Sequence, residues 1–191
     1  MQYAYNEPPA PEHQGTRSDM ALLVPHLDAA YNLARWLMRN ETDAEDLVQE
    51  AYLRAFRHFA GFRGGDGRAW LLTIVRNSCY DRLKQKGSRG QDADFDEAVH
   101  SAGQQTSNPE TLLILEERGE LVRESLAELP PEYREVLVLR ELEQLSYREI
   151  ANLAGIPLGT VMSRLSRARQ QLQQSLLAKA EPERTGARQP H

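Results

Sequence analysis

Ser163, Ser166, Arg167 and Gln170 recur at the spacing of one helix face, with Arg164 and Arg169 on its flanks. Short hydroxyls, an amide and a guanidinium can hydrogen-bond base edges, where Arg pairs bidentately with guanine and Gln with adenine. Flanking arginines suit phosphates, which fix position and affinity without reading sequence. Stepping about 100° per residue puts Val161, Leu165, Ala168 and Leu172 on the other, core-facing side. From Glu149 to Leu177 no further acid follows, although the formal net charge of the whole chain is −5. A solvated basic face on an ordinary bundle has the same composition. The preceding segment favours the sharper reading. Ser146 and Glu149 fit a capping box for the short helix "YREIANLA", Gly155 permits a left-handed cap and Pro157 opens the last helix. That order predicts a helix-turn-helix whose second helix enters the major groove of a DNA duplex.

Two other groups of residues could carry interactions. Asp46, Gln49, Leu53 and Arg57 share the wet face of an earlier helix, with Glu50 beside them. A leucine framed by acids and amides hints at a protein partner, and a solvated face with one stray leucine fits equally well. Glu45, Asp46 and Glu50 are acids on this helix whose type would suit a catalytic or metal-binding role. No histidine or second acidic cluster stands at ligand spacing, so neither catalysis nor a metal or cofactor is expected. Further on, Trp70, Thr73, Asn77, Asp81 and Lys84 are expected to face water, and Leu72, Val75, Cys79 and Leu83 the core. Arg63, Arg68, Arg76, Arg82, Lys84, Lys86 and Arg89 outnumber Asp66 and Asp81 across this stretch. Exposed aromatics among cations serve single-stranded nucleic acid, the rings stacking on bases and the charge following the backbone. Trp70 packed against the first helix is the competing reading.

These groups need helices to position them. Apolar periodicity predicts one over residues 25–40 and a second from Asp43 to about Phe59, begun by a Thr42–Glu45 capping box. A glycine-rich loop, "AGFRGGDGR", leads to a third helix stopped by Gly87. Residues 88–110 are polar and carry Asp92, Asp94, Asp96 and Glu97 with little to bury, the composition of a linker. Apolar spacing resumes at Thr111 and ends before Pro130, and Pro131 sits at the first turn of "PEYREVLVLREL". No strand pattern competes, so the fold class is all-α: two small helical domains joined by a flexible linker, the second a helix-turn-helix. The ends, 1–20 and 181–191, read as disordered. Hydrophobic residues make up 40% of the 191, with no apolar run long enough to span a membrane and no secretory signal, so the cytoplasm is expected. The single cysteine, Cys79, forms no internal disulfide and reads as core packing.

With these elements in place, the segments "DAEDLVQEAYLRAFRHF", "AWLLTIVRNSCYDRL" and "LPPEYREVLVLRELEQLSYREIANLAGIPLGTVMSRLSRAR" are similar to the bacterial extracytoplasmic-function (ECF) sigma factors. The likeness covers about residues 21–90 and 111–177 and leaves the tails and linker unmatched. It implies a region 2 domain over 21–89, an acidic linker over 90–110 and a region 4 domain over 111–180, between extensions 1–20 and 181–191. By resemblance, Asp46, Gln49, Glu50 and Leu53 dock on core RNA polymerase at the β′ clamp helices, and the polymerase β flap is a further implied contact. Phe62, Arg63, Trp70, Thr73 and Asn77 match the part that captures a flipped-out base of the minus-ten element. Thr160, Met162, Ser163, Arg164, Ser166, Arg167 and Gln170 match the reader of the minus-thirty-five element. The implied partners are core polymerase, promoter DNA and an anti-sigma factor, often membrane-anchored in relatives, with no direct membrane insertion by this chain. One departure stands out: the loop "FRGGDGRAW" is shorter than in many relatives, which carry another aromatic before the tryptophan. Two readings of other classes predict different behaviour. A repressor or activator would bind a palindromic duplex as a dimer without polymerase, and a helical enzyme would lose metal-dependent activity on Asp46→Ala.

Overall fold

The computed structural model describes residues 21–62, 64–88 and 109–180. Arg63, the expected tails and residues 89–108, which hold nearly all of the expected linker, lie outside the described residues. The described residues are helical with no strand. They form α1 (Leu27–Met38), α2 (Glu41–Arg57), α3 (Gly67–Ser88), α4 (Pro109–Glu128), α5 (Pro131–Leu137), α6 (Tyr147–Ala154) and α7 (Leu158–Ala180). Short 3-10 turns, Val24–His26 and Phe59–Gly61, precede α1 and follow α2, and a π turn, Val138–Leu142, extends α5.

α1, α2 and α3 pack on one another as a first bundle. Ala30, Leu33, Ala34 and Leu37 repeat at helical spacing on α1 and meet Leu47 and Ala51 of α2 and Leu71, Leu72, Val75 and Cys79 of α3, all buried. Each fully buried leucine contributes about 1.5–3 kcal/mol. The second helix starts earlier than its Thr42–Glu45 pattern suggests. Arg39 closes α1 in the left-handed region at φ 59°, its N–H donating to the Arg35 carbonyl at 3.0 Å. Asn40 then caps α2, its side chain accepting from the Asp43 N–H at 2.8 Å. Asn40, and not Thr42, is therefore the residue that caps this helix.

In the second bundle α4, α5 and α6 all pack against α7. Pro131 opens α5 as expected, since its missing N–H would have had no partner there. The capping box of α6 is present in both directions: Ser146 N–H donates to Glu149 at 2.7 Å, and Glu149 N–H to the Ser146 hydroxyl at 3.2 Å. Gly155 ends α6 at φ 65°, ψ 35°, a conformation that costs glycine nothing.

The two bundles pack against each other through α1 with α5 and α3 with α6. Arg134 on α5 lies at the centre, only 2% exposed. It donates to the carbonyls of Leu126, Ala127 and Leu129 at the end of α4, and to those of Trp36 and Leu37 at the end of α1. One guanidinium thus satisfies the free carbonyls of two helix ends, where the helix dipole favours a cation. Burial pulls its pKa down to about 10, which still leaves it charged at neutral pH.

Candidate nucleic-acid interface

α7 presents the expected face. Val161, Leu165 and Ala168 are buried against the bundle and Leu172 half-buried, leaving Met162, Ser163, Ser166, Arg167 and Gln170 exposed together. Thr160 and Arg164 sit at the edge, half-buried. The Ser163 hydroxyl donates to the Thr160 carbonyl at 3.0 Å, so in this geometry its oxygen is offered outward as an acceptor. Met162, 53% exposed, adds an apolar surface of the kind that meets a thymine methyl. Arg169 departs from its expected role as a phosphate contact. Its guanidinium donates to Glu141 at 2.7 Å, and hydrogen bonds to Glu141 and Tyr147 push its pKa up. It braces α7 against the π turn and α6, while Tyr147 also lies under the Arg140 guanidinium, 5.2 Å from the ring centroid.

The second candidate surface is built by the loop before α3. Gly64 and Gly65 turn the chain at φ 84° and 108°, a region closed to most side chains. Asp66 then accepts from the Arg68 N–H at 2.9 Å and opens α3. This start places Trp70 beside the preceding 3-10 turn. Its ring lies 5.8 Å from Phe59 at 78° and 5.0 Å from Phe62 at 36°, centroid to centroid. Trp70 is therefore half-buried in an aromatic cluster and not turned fully to water. The reason is Phe59, which packs on the core and offers the tryptophan a ring edge. Thr73 is half-buried, its hydroxyl donating to Ala69 at 2.7 Å, and Asn77 is exposed, accepting from Arg76 at 3.2 Å. Phe62 joins the cluster, and Arg63 lies outside the described residues.

On α2, Asp46, Gln49, Glu50 and Leu53 are exposed on one side, Leu53 at 52%. Glu50 pairs with Arg54 one turn on at 3.3 Å. Among the described residues no group of histidines, cysteines and acids could hold a metal ion, and no helix is long and apolar enough to cross a membrane.

Sequence reasoning missed Glu135, Glu143, Tyr80 and Asn32, which join the two bundles with Arg68 and Arg76. Glu135 on α5 is fully buried and accepts from Arg76 and from the Tyr80 hydroxyl, the latter at 2.6 Å. Glu143, just past the π turn, accepts from Arg68 and, at 3.2 Å, from Asn32 of α1. Burial and Glu135 together push the Tyr80 phenol far above its ordinary pKa, so it stays a donor. A signal was available: Glu135 and Glu143 are carboxylates inside the apolar run "EVLVLRELEQL".

Comparison with known proteins agrees with this geometry. The family description "Sigma-70 region 2" matches residues 22–89, and "Sigma-70, region 4" matches 119–172. The ECF RNA polymerase sigma factor SigE of Mycolicibacterium smegmatis is 37% identical over 155 residues, covering 81% of this chain and 60% of that relative's length. The ECF RNA polymerase sigma-E factor of Escherichia coli K12 is 39% identical over 135 residues, covering 67% of this chain and 71% of the relative. Among solved structures, the sigma factor RpoE of Bartonella quintana, in complex with the anti-sigma factor NepR, superposes with a TM-score of 0.70 at 30% identity over 84% of this chain and 98% of that one. CnrH, in complex with the cytosolic domain of CnrY, superposes at 0.57 and 26% identity over 86% and 90%. With both family regions present in order, and with a relative of this identity matched over more than two thirds of its length, the chain belongs to the ECF RNA polymerase sigma factors, a family of transcription initiation factors.

Proposed function

We propose that this protein directs core RNA polymerase to particular promoters and has no catalytic chemistry of its own, which the polymerase supplies. The observation that carries the reading is the α7 face: Met162, Ser163, Ser166, Arg167 and Gln170 exposed together on the second helix of a helix-turn-helix. Residues 111–180 form the unit that reads the minus-thirty-five duplex, with Thr160 and Arg164 at its edge, and meets the β flap. Residues 21–89 form the unit that traps an unpaired minus-ten base, using Phe62, Arg63, Trp70, Thr73 and Asn77. Asp46, Gln49, Glu50 and Leu53 dock on the β′ clamp helices. The linker 90–110 lets the polymerase set the separation of the two units. An anti-sigma factor holds the protein inactive, a reading supported by the two relatives whose solved complexes contain such a protein or a cytosolic domain. The cytoplasm, where the polymerase works, is its place of action.

In vitro transcription with purified core polymerase tests the proposal. New initiation from a matching promoter is expected only when this chain is added. Sequence-specific duplex binding by the chain alone, with no initiation, would favour a repressor or activator instead.

A further inference from the structure

Arg68, Arg76 and Tyr80 lie along one strip of α3, on the helix that also carries Trp70 and Asn77, and the second bundle covers that strip with carboxylates. Glu143 takes Arg68 and Glu135 takes Arg76, so the two ion pairs run antiparallel, both pairs spaced about two turns apart. Glu143 follows the π turn directly, and it reaches the same helix as Glu135. Glu135 has no exposed surface, and its partners Arg76 and Tyr80 both belong to the first bundle. Glu143 is 6% exposed, and its partners Arg68 and Asn32 do too. Arg134 differs, because its bonds to Leu126, Ala127 and Leu129 stay within its own bundle when the two part. The carboxylates are therefore the groups whose burial makes sense only in the closed arrangement. Arg76 also donates to Asn77, so Glu135 is one side chain removed from a proposed base contact.

We propose that Glu135 and Glu143 stand in for nucleic-acid phosphates, holding α3 closed against α5 and the π turn until a single strand displaces them. This inference rests on the reading of α3 as the helix that meets single-stranded DNA. Carboxylate and phosphate both suit the fork of an arginine, and Arg68 and Arg76 cannot serve both at once. Closure and strand binding are then mutually exclusive. Linkage makes the antagonism reciprocal: whatever the latch costs in strand affinity, the strand returns as opening.

The full chain carrying Gln85→Cys and Gln174→Cys, both at exposed positions, allows a donor and an acceptor dye to report the distance between bundles. Cys79 is buried and stays unlabelled. The second readout is the affinity for a short fluorescent single-stranded oligodeoxynucleotide at low salt. Glu135→Gln with Glu143→Gln should lengthen the distance and tighten oligonucleotide binding by about tenfold, within the usual range of coupling between sites. Added oligonucleotide should lengthen the distance in the unaltered latch. An unchanged distance in a double variant of native helicity overturns the latch. A longer distance with the same oligonucleotide affinity, including none in either protein, overturns the phosphate mimicry. Should the double variant lose helicity, Tyr80→Phe, which removes one donor to Glu135 and keeps the ring, decides by the same two readouts. Failure of the unaltered protein to start transcription with core polymerase would count against the functional reading and leave the distance readout standing.

Discussion

On the proposed reading, Arg167 and Asn77 divide the work of recognition at the scale of single residues. Arg167 stands exposed on α7 with nothing in the way of a guanine, so Arg167→Ala should cost about 1–3 kcal/mol of discrimination at one upstream base. Footprinting across a set of single-base promoter variants measures it. Asn77→Ala should impair promoter opening, read by permanganate reactivity, more than duplex binding, and the opposite pattern would mean the two roles are exchanged. Cys79 is a third case. Burial and the nearby Glu135 push its thiol from an ordinary 9.0 up to about 12, so the folded protein holds its proton where the unfolded chain releases it. Stability from this group is complete below the unfolded pKa and is lost as pH rises from about 9 towards 12. Urea unfolding of the protein and of Cys79→Ala should show curves that converge or cross as pH rises through that window. The same burial predicts a thiol inert to alkylation at neutral pH until the chain unfolds.

Caps and turns decide the elements. Asn40→Ala removes the acceptor for the Asp43 N–H and should lower stability by about 0.5–2 kcal/mol, measured as a shift in the urea midpoint, whereas Thr42→Ala should change little. Sequence patterns located most helices because their causes are local: the apolar stripes of α1 and α3, the Ser146–Glu149 box and Gly155 need only neighbours a few residues away. They missed two features with remote causes. The π turn at Val138–Leu142 has a sequence that continues an ordinary helix, and the residue that follows it, Glu143, reaches Arg68 and Asn32 in the other bundle. Arg169, on the flank of α7, looked ready for phosphate until Glu141 was folded against it. That exposed pair is worth at most about 1 kcal/mol.

On the proposed reading the whole molecule needs its two bundles to act together, and yet it packs them face to face. On the proposed reading, promoter opening requires both elements at one separation, so displacing them by about five base pairs, half a duplex turn, should abolish initiation while α7 still protects the upstream site. Run-off transcription and footprinting on the same templates check both halves of that statement. The sequence by itself determined the all-α class, the helix-turn-helix and which side chains of α7 and α2 face outward, because periodicity and capping act within a few turns of one helix. Only the tertiary structure decided that Trp70 is held by Phe59 and Phe62, that Arg134 closes the ends of α1 and α4, and that Glu135 and Glu143 take Arg76 and Arg68. The pairings between the bundles join residues far apart in the chain, and an ion pair leaves no periodic trace: a buried carboxylate is legible as an anomaly, but its partner is known only when the packing brings it there.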